Sequence, residues 1–243
     1  FLSIFANELL LRSRIFWWRN LTLFINNGLR TSGCRCSGME VIMEFIRKNF
    51  PLSTILLIYR MGSKAYGVDN EDSDEDIGVV LDGYSGMDHI VDYETKNEYF
   101  IFSKDLWIKK MEFETSLANL FLIFPDEVIG NTPLYIKEEF ITTYESYQTR
   151  DFASIFKTYL GKVIDYFETY LNEDRQTKTM WHLYRIEEQV LRFVSTGEWS
   201  LTLTPGTIEK LQVYKQNYKL QNEHSLSEFK NIIQYLKEVK NHE

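Results

Sequence analysis

The segment of residues 60–81, RMGSKAYGVDNEDSDEDIGVVL, constrains the fold of this chain more than any other part of the sequence. Short apolar runs, STILLIY before it and DIGVVL at its end, are rich in β-branched and aliphatic residues, which is typical of buried strands. Between these runs are a Gly-Ser pair, Gly62 and Ser63, and an Asp-x-Asp pair, Asp74 and Asp76. The segment therefore predicts two strands that hold a glycine turn and two carboxylates close together.

The Gly-Ser pair has the chemistry of an anion-binding turn. Glycine has no Cβ, so the backbone at Gly62 can approach phosphate oxygens closely. Ser63 supplies a hydroxyl, and backbone N–H groups at the start of the helix that follows favour an anion. Lys64 lies in the same turn and is a third candidate to bind phosphate, with a side chain pointing to water as its alternative. We expect a phosphate site at this turn.

The Asp-x-Asp pair has the chemistry of a magnesium site. On a strand, a spacing of two residues places both carboxylates on the same face. Mg²⁺ prefers oxygen ligands and keeps several waters, so two or three acids are enough to hold it. A third acid is expected from a neighbouring strand. Our choice is Glu98, at the head of EYFIFS, as a metal ligand or a proton acceptor; Asp92 and Glu94 are alternatives, and Glu98 can also be a solvated acid at a strand edge.

A basic stripe is predicted on a helix further along the chain. Lys178, His182, Arg185 and Arg192 recur at offsets that share one helix face. Such a stripe can bind a triphosphate or an RNA backbone, and its alternative is a solvated charged face. We expect Lys178, His182 and Arg185 to bind nucleotide, and the opposite face to supply the core with Trp181, Tyr184, Val190 and Leu191.

The first 38 residues differ in composition from the rest. They contain five Arg, no Lys and a single acid, Glu8, whereas Lys outnumbers Arg in the remainder. Met39 then opens a predicted helix. We expect residues 1–38 to be a leader outside the native fold and Met39 to be the natural start; the alternative is a genuine amphipathic helix at the N-terminus.

The hydrophobic period changes near residue 105. Residues 39–105 predict one helix and three strands, at 53–59, 76–81 and 98–103, with a loop at 82–92. From residue 106 onward the period is helical, and Thr204 followed by Pro205 predicts the start of a helix. The sequence therefore predicts an α+β fold in two parts: a small catalytic core at 39–105 and an all-helical region at 106–243, with helices at 106–124, 155–171, 180–194, from 205, and 226–239.

Composition limits the kinds of partner. The net charge of −8 gives no overall basic signature of nucleic-acid binding, although an acidic protein can bind RNA through a local basic stripe. Cys34 and Cys36 form neither a disulfide framework nor a zinc site by themselves, which favours a reducing cytoplasm. No stretch approaches the roughly 20 apolar residues of a membrane span. We expect a cytoplasmic protein that binds no membrane, of undetermined oligomeric state.

The block GSKAYG…SDEDIGVVL resembles the GS-x-x-x-G…SD-x-D signature of the DNA polymerase β-like nucleotidyltransferase superfamily. Within it, the Tyr-Gly after the GS turn looks like the predicted nucleotidyltransferases associated with RNA repair in bacteria and phages. Residues 120–130, LFLIFPDEVIG, and residues 178–199, KTMWHLYRIEEQVLRFVSTGEW, are similar to later segments of that group. The resemblance covers residues 55–215, and residues 1–38 have no counterpart in the family.

The resemblance implies a small mixed sheet flanked by helices. It also implies transfer of a nucleoside monophosphate (NMP) from a nucleoside triphosphate (NTP) to an acceptor hydroxyl, with release of pyrophosphate. Two Mg²⁺ ions, replaceable by Mn²⁺, would be bound by Asp74 and Asp76, with Gly62 and Ser63 on the phosphates. This chain has Glu98 where the superfamily more often has Asp.

Three functions are weighed for such a chain. The first is transfer to an RNA 3′ end, in a bacterium or in the host cytoplasm of a phage. The second keeps the chemistry but uses a protein hydroxyl, as in antitoxin-type enzymes, or a small molecule such as an aminoglycoside. The third is a catalytically silent NTP-binding module, against which the intact Asp74 and Asp76 argue. The sequence does not identify the NTP.

Overall fold

The computed structural model describes residues 36–69, 73–112, 128, 131–148, 151–170, 176–216 and 223–242. The chain divides into two compact units, residues 1–51 and 52–243. Most of the predicted leader, most of the predicted helix at 106–124 and nearly all of the segment at 120–130 lie outside the described residues.

The first unit is described from residue 36, where helix α1 (Cys36–Asn49) begins. The helix predicted here is confirmed, and Met39 lies inside it. Ile42 and Ile46, one turn apart, are both buried. The N–H of Phe50 still donates to the carbonyl of Ile46, and Pro51, which has no N–H, follows the end of the helix.

The described part of the second unit contains a mixed sheet of five strands. The elements up to the end of the sheet are β1 (Thr54–Arg60), α2 (Gly62–Tyr66), β2 (Glu75–Asp82), β3 (Met87–Asp92), β4 (Asn97–Ser103), α3 (Lys104–Met111) and β5 (Tyr135–Ile136). The strand order is β3-β4-β2-β1-β5. β2 and β4 are parallel, whereas the other three neighbouring pairs are antiparallel. The predicted α+β class is therefore confirmed, with the three predicted strands as β1, β2 and β4.

Two strands differ from the sequence prediction. β3 lies within residues 82–92, where a loop was predicted, and that prediction is wrong: β3 forms a hairpin with β4. β5 lies beyond residue 105 and pairs with β1 through Leu57 and Ile58. Both are edge strands, held mainly by backbone pairing to a neighbour. Their own side chains give little of the alternating apolar pattern that identifies a strand.

Helices make up most of the remainder. A short 3-10 turn (Glu138–Phe140) leads into α4 (Ile141–Gln148), followed by α5 (Phe152–Tyr170), α6 (Gln176–Thr196), α7 (Pro205–Gln216) and α8 (Glu223–His242). Thr204 Oγ1 accepts a hydrogen bond from the N–H of Thr207, so the predicted cap at the start of α7 is confirmed. α3 begins two residues before the predicted helix at 106–124, because Ser103 Oγ caps it at Leu106.

Among the described residues of the second unit, hydrophobic side chains form two clusters. The first cluster contains residues of all four helices from α5 through α8. It buries these residues of the predicted apolar stripe of α5: Ile155, Phe156, Tyr159, Leu160, Val163, Ile164 and Phe167. Tyr66 and Val68, from the glycine turn and just after it, belong to this cluster as well. The second cluster packs α3 and α4 against the sheet around Trp107. None of the described helices has the length and apolar character needed to cross a membrane.

Candidate functional site

Gly62 and Asp76 are packed directly against each other. Gly62 has φ +62°, a conformation that residues with a Cβ rarely adopt. A Cβ at this position would lie 1.8 Å from Asp76 Oδ2 and 2.8 Å from its Cγ. The N–H of Met61 also donates to the backbone carbonyl of Asp76 at 2.8 Å. The turn and the carboxylate that the sequence singled out are therefore neighbours in space.

The rest of the turn is a short helix closed by a second glycine. α2 ends at Gly67, which has φ +72° and donates its N–H to the carbonyl of Ser63. The N–H of Val68 donates to the same carbonyl at 3.0 Å. Ser63 is half-buried at the start of the helix. These bonds fix the path of the backbone from Ser63 to the loop that precedes β2.

Lys64 forms an ion pair across the turn. Its Nζ lies 3.8 Å from Glu75 Oε2, and Arg60 Nε donates to Glu75 Oε1 at 2.8 Å. Glu75 precedes Asp76 on β2, and consecutive strand residues point to opposite faces of the sheet. Lys64 is therefore directed toward the Glu75 face in this structure, and its phosphate-binding role stays a prediction.

Glu98 is the register partner of Asp76. β2 and β4 run parallel, with Glu75 opposite Asn97 and Asp76 opposite Glu98. Partners at the same register position on neighbouring strands point to the same face of a sheet, and the strands are about 4.8 Å apart. The structure thus brings two carboxylates from different strands to one face, beside the glycine turn.

The two alternative acids lie elsewhere. Asp92 is opposite Asn97, which is opposite Glu75, so Asp92 is on the other face from Asp76. Its Oδ1 accepts from the N–H of Glu94 at 3.0 Å, and its Oδ2 accepts from Thr95 Oγ1 at 2.8 Å. Glu94 is exposed in the turn that follows. Asp92 therefore stabilises the β3–β4 turn, and geometry favours Glu98 among the three candidates.

His89 is a residue that the sequence reasoning missed. Its Nε2 is 2.9 Å from Glu98 Oε2, and its ring stacks on Phe100 with centroids 4.6 Å apart. His89 is opposite Phe100 in the β3–β4 register, so the pairing of these strands brings it to the same face as Glu98. If the sequence had been interpreted as a strand at β3, pairing of that strand with β4 would have placed His89 on the Glu98 face.

Asp74 is exposed one residue before β2 begins, so only Asp76 of the pair lies within the strand. Among the residues that the structure describes, no three Asp, Glu, His or Cys side chains are grouped closely enough to form a metal site by themselves. The donors that are present are carboxylate oxygens, the ligands that Mg²⁺ prefers. Asp76 and Glu98, side by side, fit a cation that takes its remaining ligands from water or phosphate.

The basic residues of α6 do not form an exposed stripe. His182 is 7% exposed and Arg185 is fully buried, whereas Leu191, predicted for the core, is 47% exposed. The predicted division of this helix into a cationic face and an apolar face is therefore wrong. Trp181 is only partly buried, Tyr184 and Val190 are buried, and the side chain of Lys178 lies outside the described residues. Nucleotide binding by Lys178, His182 and Arg185 stays a prediction.

The guanidinium group of Arg185 is buried against an aromatic ring. Its Cζ lies 4.0 Å from the ring centroid of Tyr66, the last residue of α2. A guanidinium stacked on an aromatic ring is attracted by the negative face of the ring, more strongly where water is excluded. Arg185 therefore packs against the residue that ends α2.

Comparison with solved structures finds matches to an adenyltransferase and to a nucleotidyltransferase-like protein. The crystal structure of spectinomycin adenyltransferase AAD(9) from Enterococcus faecialis, with ATP and spectinomycin, has a TM-score of 0.44 and 13% identity, covering 81% of this chain and 98% of its own. That of a nucleotidyltransferase-like protein from Exiguobacterium sibiricum has a TM-score of 0.29 and 10% identity, covering 84% and 75%. No family model and no curated protein matches the chain. Because both TM-scores are below 0.5, the inference of function depends on the chain's own residues.

Proposed function

We propose that this protein is a metal-dependent nucleotidyltransferase that moves an NMP from an NTP to an acceptor hydroxyl. The observation that carries the proposal is the contact between Gly62 and Asp76, with Glu98 in register beside Asp76. The sequence predicts that the turn and the acid lie close together, and in the structure they are in direct contact. Their direct packing is what a site for a phosphate and its cation requires.

The turn is proposed to hold the phosphates. Because Gly62 has no side chain, the backbone of the turn packs directly against the Asp76 carboxylate, and a phosphate held by the turn would lie beside a cation held by that carboxylate. Ser63 adds a hydroxyl at the start of α2. α2 ends at Gly67, and the N–H groups of Gly67 and Val68 both donate to the carbonyl of Ser63.

Asp76 and Glu98 are proposed to hold the divalent cation, with Asp74 as a further ligand. A bound Mg²⁺ supplies charge stabilisation at the phosphoryl oxygens. Mg²⁺ is usually bound through one or two carboxylates together with waters and substrate phosphates. Two carboxylates on one face, with a phosphate turn beside them, therefore match its needs without a complete cage of protein ligands.

The proposed reaction exchanges one phosphorus–oxygen bond for another. The acceptor oxygen forms a bond to the α-phosphorus, the bond from that phosphorus to the bridging oxygen breaks, and pyrophosphate leaves with the bonding pair. The hydroxyl proton passes to a carboxylate, for which Glu98 is our candidate. His89, within hydrogen-bonding distance of Glu98, holds that carboxylate in place.

The acceptor is proposed to be RNA. The resemblance to RNA-repair-associated nucleotidyltransferases supports RNA as the acceptor. The basic residues of α6 do not add to this support, because His182 and Arg185 are buried and do not form an exposed stripe. Transfer to a protein hydroxyl or to a small molecule uses the same residues and the same chemistry. The test therefore has to identify the acceptor as well as the reaction.

The experiment offers the purified protein each of the four α-³²P-labelled NTPs with Mg²⁺ or Mn²⁺. Total RNA, a protein extract and a metabolite fraction are supplied in parallel, and released pyrophosphate is measured. We expect label in RNA in proportion to pyrophosphate, and no label with chelator present.

The other outcomes separate the alternatives. Label in the protein or metabolite fraction contradicts RNA as acceptor and keeps nucleotidyl transfer. Nucleotide binding without pyrophosphate release under every condition contradicts the proposed activity and favours the silent NTP-binding module.

A further inference from the structure

The ring of Tyr66 is one of the contacts between the glycine turn and the helical region, beside those of Ala65 and Val68. Tyr66 is the last residue of α2, is fully buried, and belongs to the hydrophobic cluster of α5 to α8 rather than to that of the sheet. On one side its ring lies against Trp181, with centroids 6.2 Å apart. Arg185 covers the ring with its Cζ 4.0 Å from the centroid. The position of the turn is therefore fixed partly by α6.

Arg185 is in turn held by its own helix. Its Nη1 donates to Gln189 Oε1 at 2.9 Å, one turn further along α6. Gln189 Nε2 donates to the carbonyl oxygen of Ser200 at 3.2 Å, in the segment between α6 and α7. Gln189 is 2% exposed. A continuous row of contacts thus runs from Tyr66 through the buried Arg185 and Gln189 to the half-buried Ser200.

Burial argues against direct contact between Arg185 and a phosphate. The whole side chain is at 0% exposure, with a ring on one side and the Gln189 amide bonded to it. A buried guanidinium keeps its charge, and removing that charge or its ring disturbs the packing around both. The path from Arg185 to the site passes through Tyr66 and then along the five residues of α2 to Gly62.

We infer that Arg185 is a positioning residue that acts through Tyr66 to hold the glycine turn against Asp76. The inference rests on the proposed function, because it takes the turn to be the nucleotide site. It gives Arg185 a role different from the phosphate contact expected from the sequence. It also makes the helical region a determinant of nucleotide affinity without direct contact to nucleotide.

The test is a double-mutant cycle on nucleotide affinity. The four proteins are the wild type, Arg185→Met, Tyr66→Leu and the combination, and a fluorescent NTP analogue is titrated in the presence of Mg²⁺. Each single change is expected to weaken binding about tenfold, and the double variant no more than either alone, because both break the same contact. Tyr66→Phe keeps the ring and is expected to bind within about twofold of the wild type.

Two controls separate positioning from phosphate binding and from general destabilisation. Arg185→Lys retains a positive charge but not the flat group that stacks on the ring, so it is expected to weaken binding like Arg185→Met. Lys210→Met removes a cation at the same 4.0 Å from a ring that is not part of the turn, that of Tyr184 on α6. It is expected to leave affinity unchanged. Thermal unfolding of each variant verifies that it is folded.

Additive losses in the cycle would overturn the inference, as would full affinity in Arg185→Lys, since both are expected of a direct phosphate ligand. Different results, obtained with the wild type alone, would contradict the proposed function. A wild type that binds the analogue but releases no pyrophosphate contradicts transfer while the cycle still measures coupling. A wild type that binds no nucleotide contradicts both.

Discussion

Asp76 Oδ2 lies 1.8 Å from the place that a Cβ on Gly62 would occupy. The carboxylate therefore fills the space that the missing side chain leaves, and the positive φ of Gly62 independently excludes most other residues. The glycine is required here both by the shape of the backbone and by its neighbour. A substitution at this position has to move either the turn or the acid.

Gly62→Ala is expected to lower nucleotidyl transfer by about a hundredfold or more, since displacements near 1 Å at a reacting centre cost that much. Gly67→Ala is the matched control, because Gly67 also has a positive φ but no atom within 4 Å of its Cβ position. It is expected to cost about 1 kcal/mol of stability and to retain most activity. Steady-state kinetics and urea unfolding measure the two effects; equal losses of activity would argue against the steric account.

Glu98→Gln is expected to lower kcat by about 10²- to 10⁴-fold, the range for loss of a proton-accepting group. Asp92→Asn is the matched control, because Asp92 lies on the other face of the sheet and bonds Glu94 and Thr95 in the turn. It is expected to retain activity. If Asp92→Asn abolishes transfer and Glu98→Gln does not, the third carboxylate is Asp92.

His89→Ala is expected to weaken apparent Mn²⁺ affinity about tenfold in the presence of nucleotide, the usual cost of losing a group that orients a metal ligand. The reason is its 2.9 Å contact with Glu98 Oε2. His89→Gln offers an amide N–H to the same oxygen and is expected to recover part of the loss. Electron paramagnetic resonance of bound Mn²⁺ makes the comparison, and unchanged affinity in His89→Ala would refute the role of His89.

Glu187 is expected to make the fold less stable as pH rises. Burial raises the pKa of Glu187 above its usual value of 4.5, with Glu228 adding to the effect and Lys210 opposing it. Between the ordinary and the raised pKa the folded protein binds more protons than the unfolded one, so stability falls as pH increases through that interval. Glu187→Gln is expected to be more stable than the wild type at pH 7, with the difference shrinking below pH 4. Urea unfolding across this range measures it; a difference independent of pH would exclude ionisation as its cause.

The strands and helices that the sequence predicted correctly are those identified by the pattern of apolar residues within their own segment. β1, β2 and β4 follow from apolar runs that are buried in the sheet, and α5 follows from its repeating apolar stripe. The proximity of Gly62 and Asp76 was anticipated because one short loop connects the turn to β2. The parallel pairing that brings Glu98 to Asp76 agrees with the choice of acid, although no sequence feature fixes that register.

The parts missed depend on contacts between distant segments. β3 has a polar sequence, MDHIVD, and exists as a strand because β4 offers it backbone partners. Arg185 was assigned to an exposed face because a helical pattern contains no information about which group will cover it. The ring of Tyr66, from a distant part of the chain, makes burial of that cation favourable.

The most direct test of the account compares Asp76→Asn with Glu75→Gln, using α-³²P- and γ-³²P-labelled NTP on the same acceptor. Glu75 is adjacent but on the opposite face of the sheet, where it pairs with Arg60 and Lys64. We predict that the wild type and Glu75→Gln transfer the α label to the acceptor and release the γ label in pyrophosphate. We predict that Asp76→Asn neither transfers the α label nor releases the γ label. Transfer of the γ label, or undiminished α-label transfer by Asp76→Asn, would contradict the central claim.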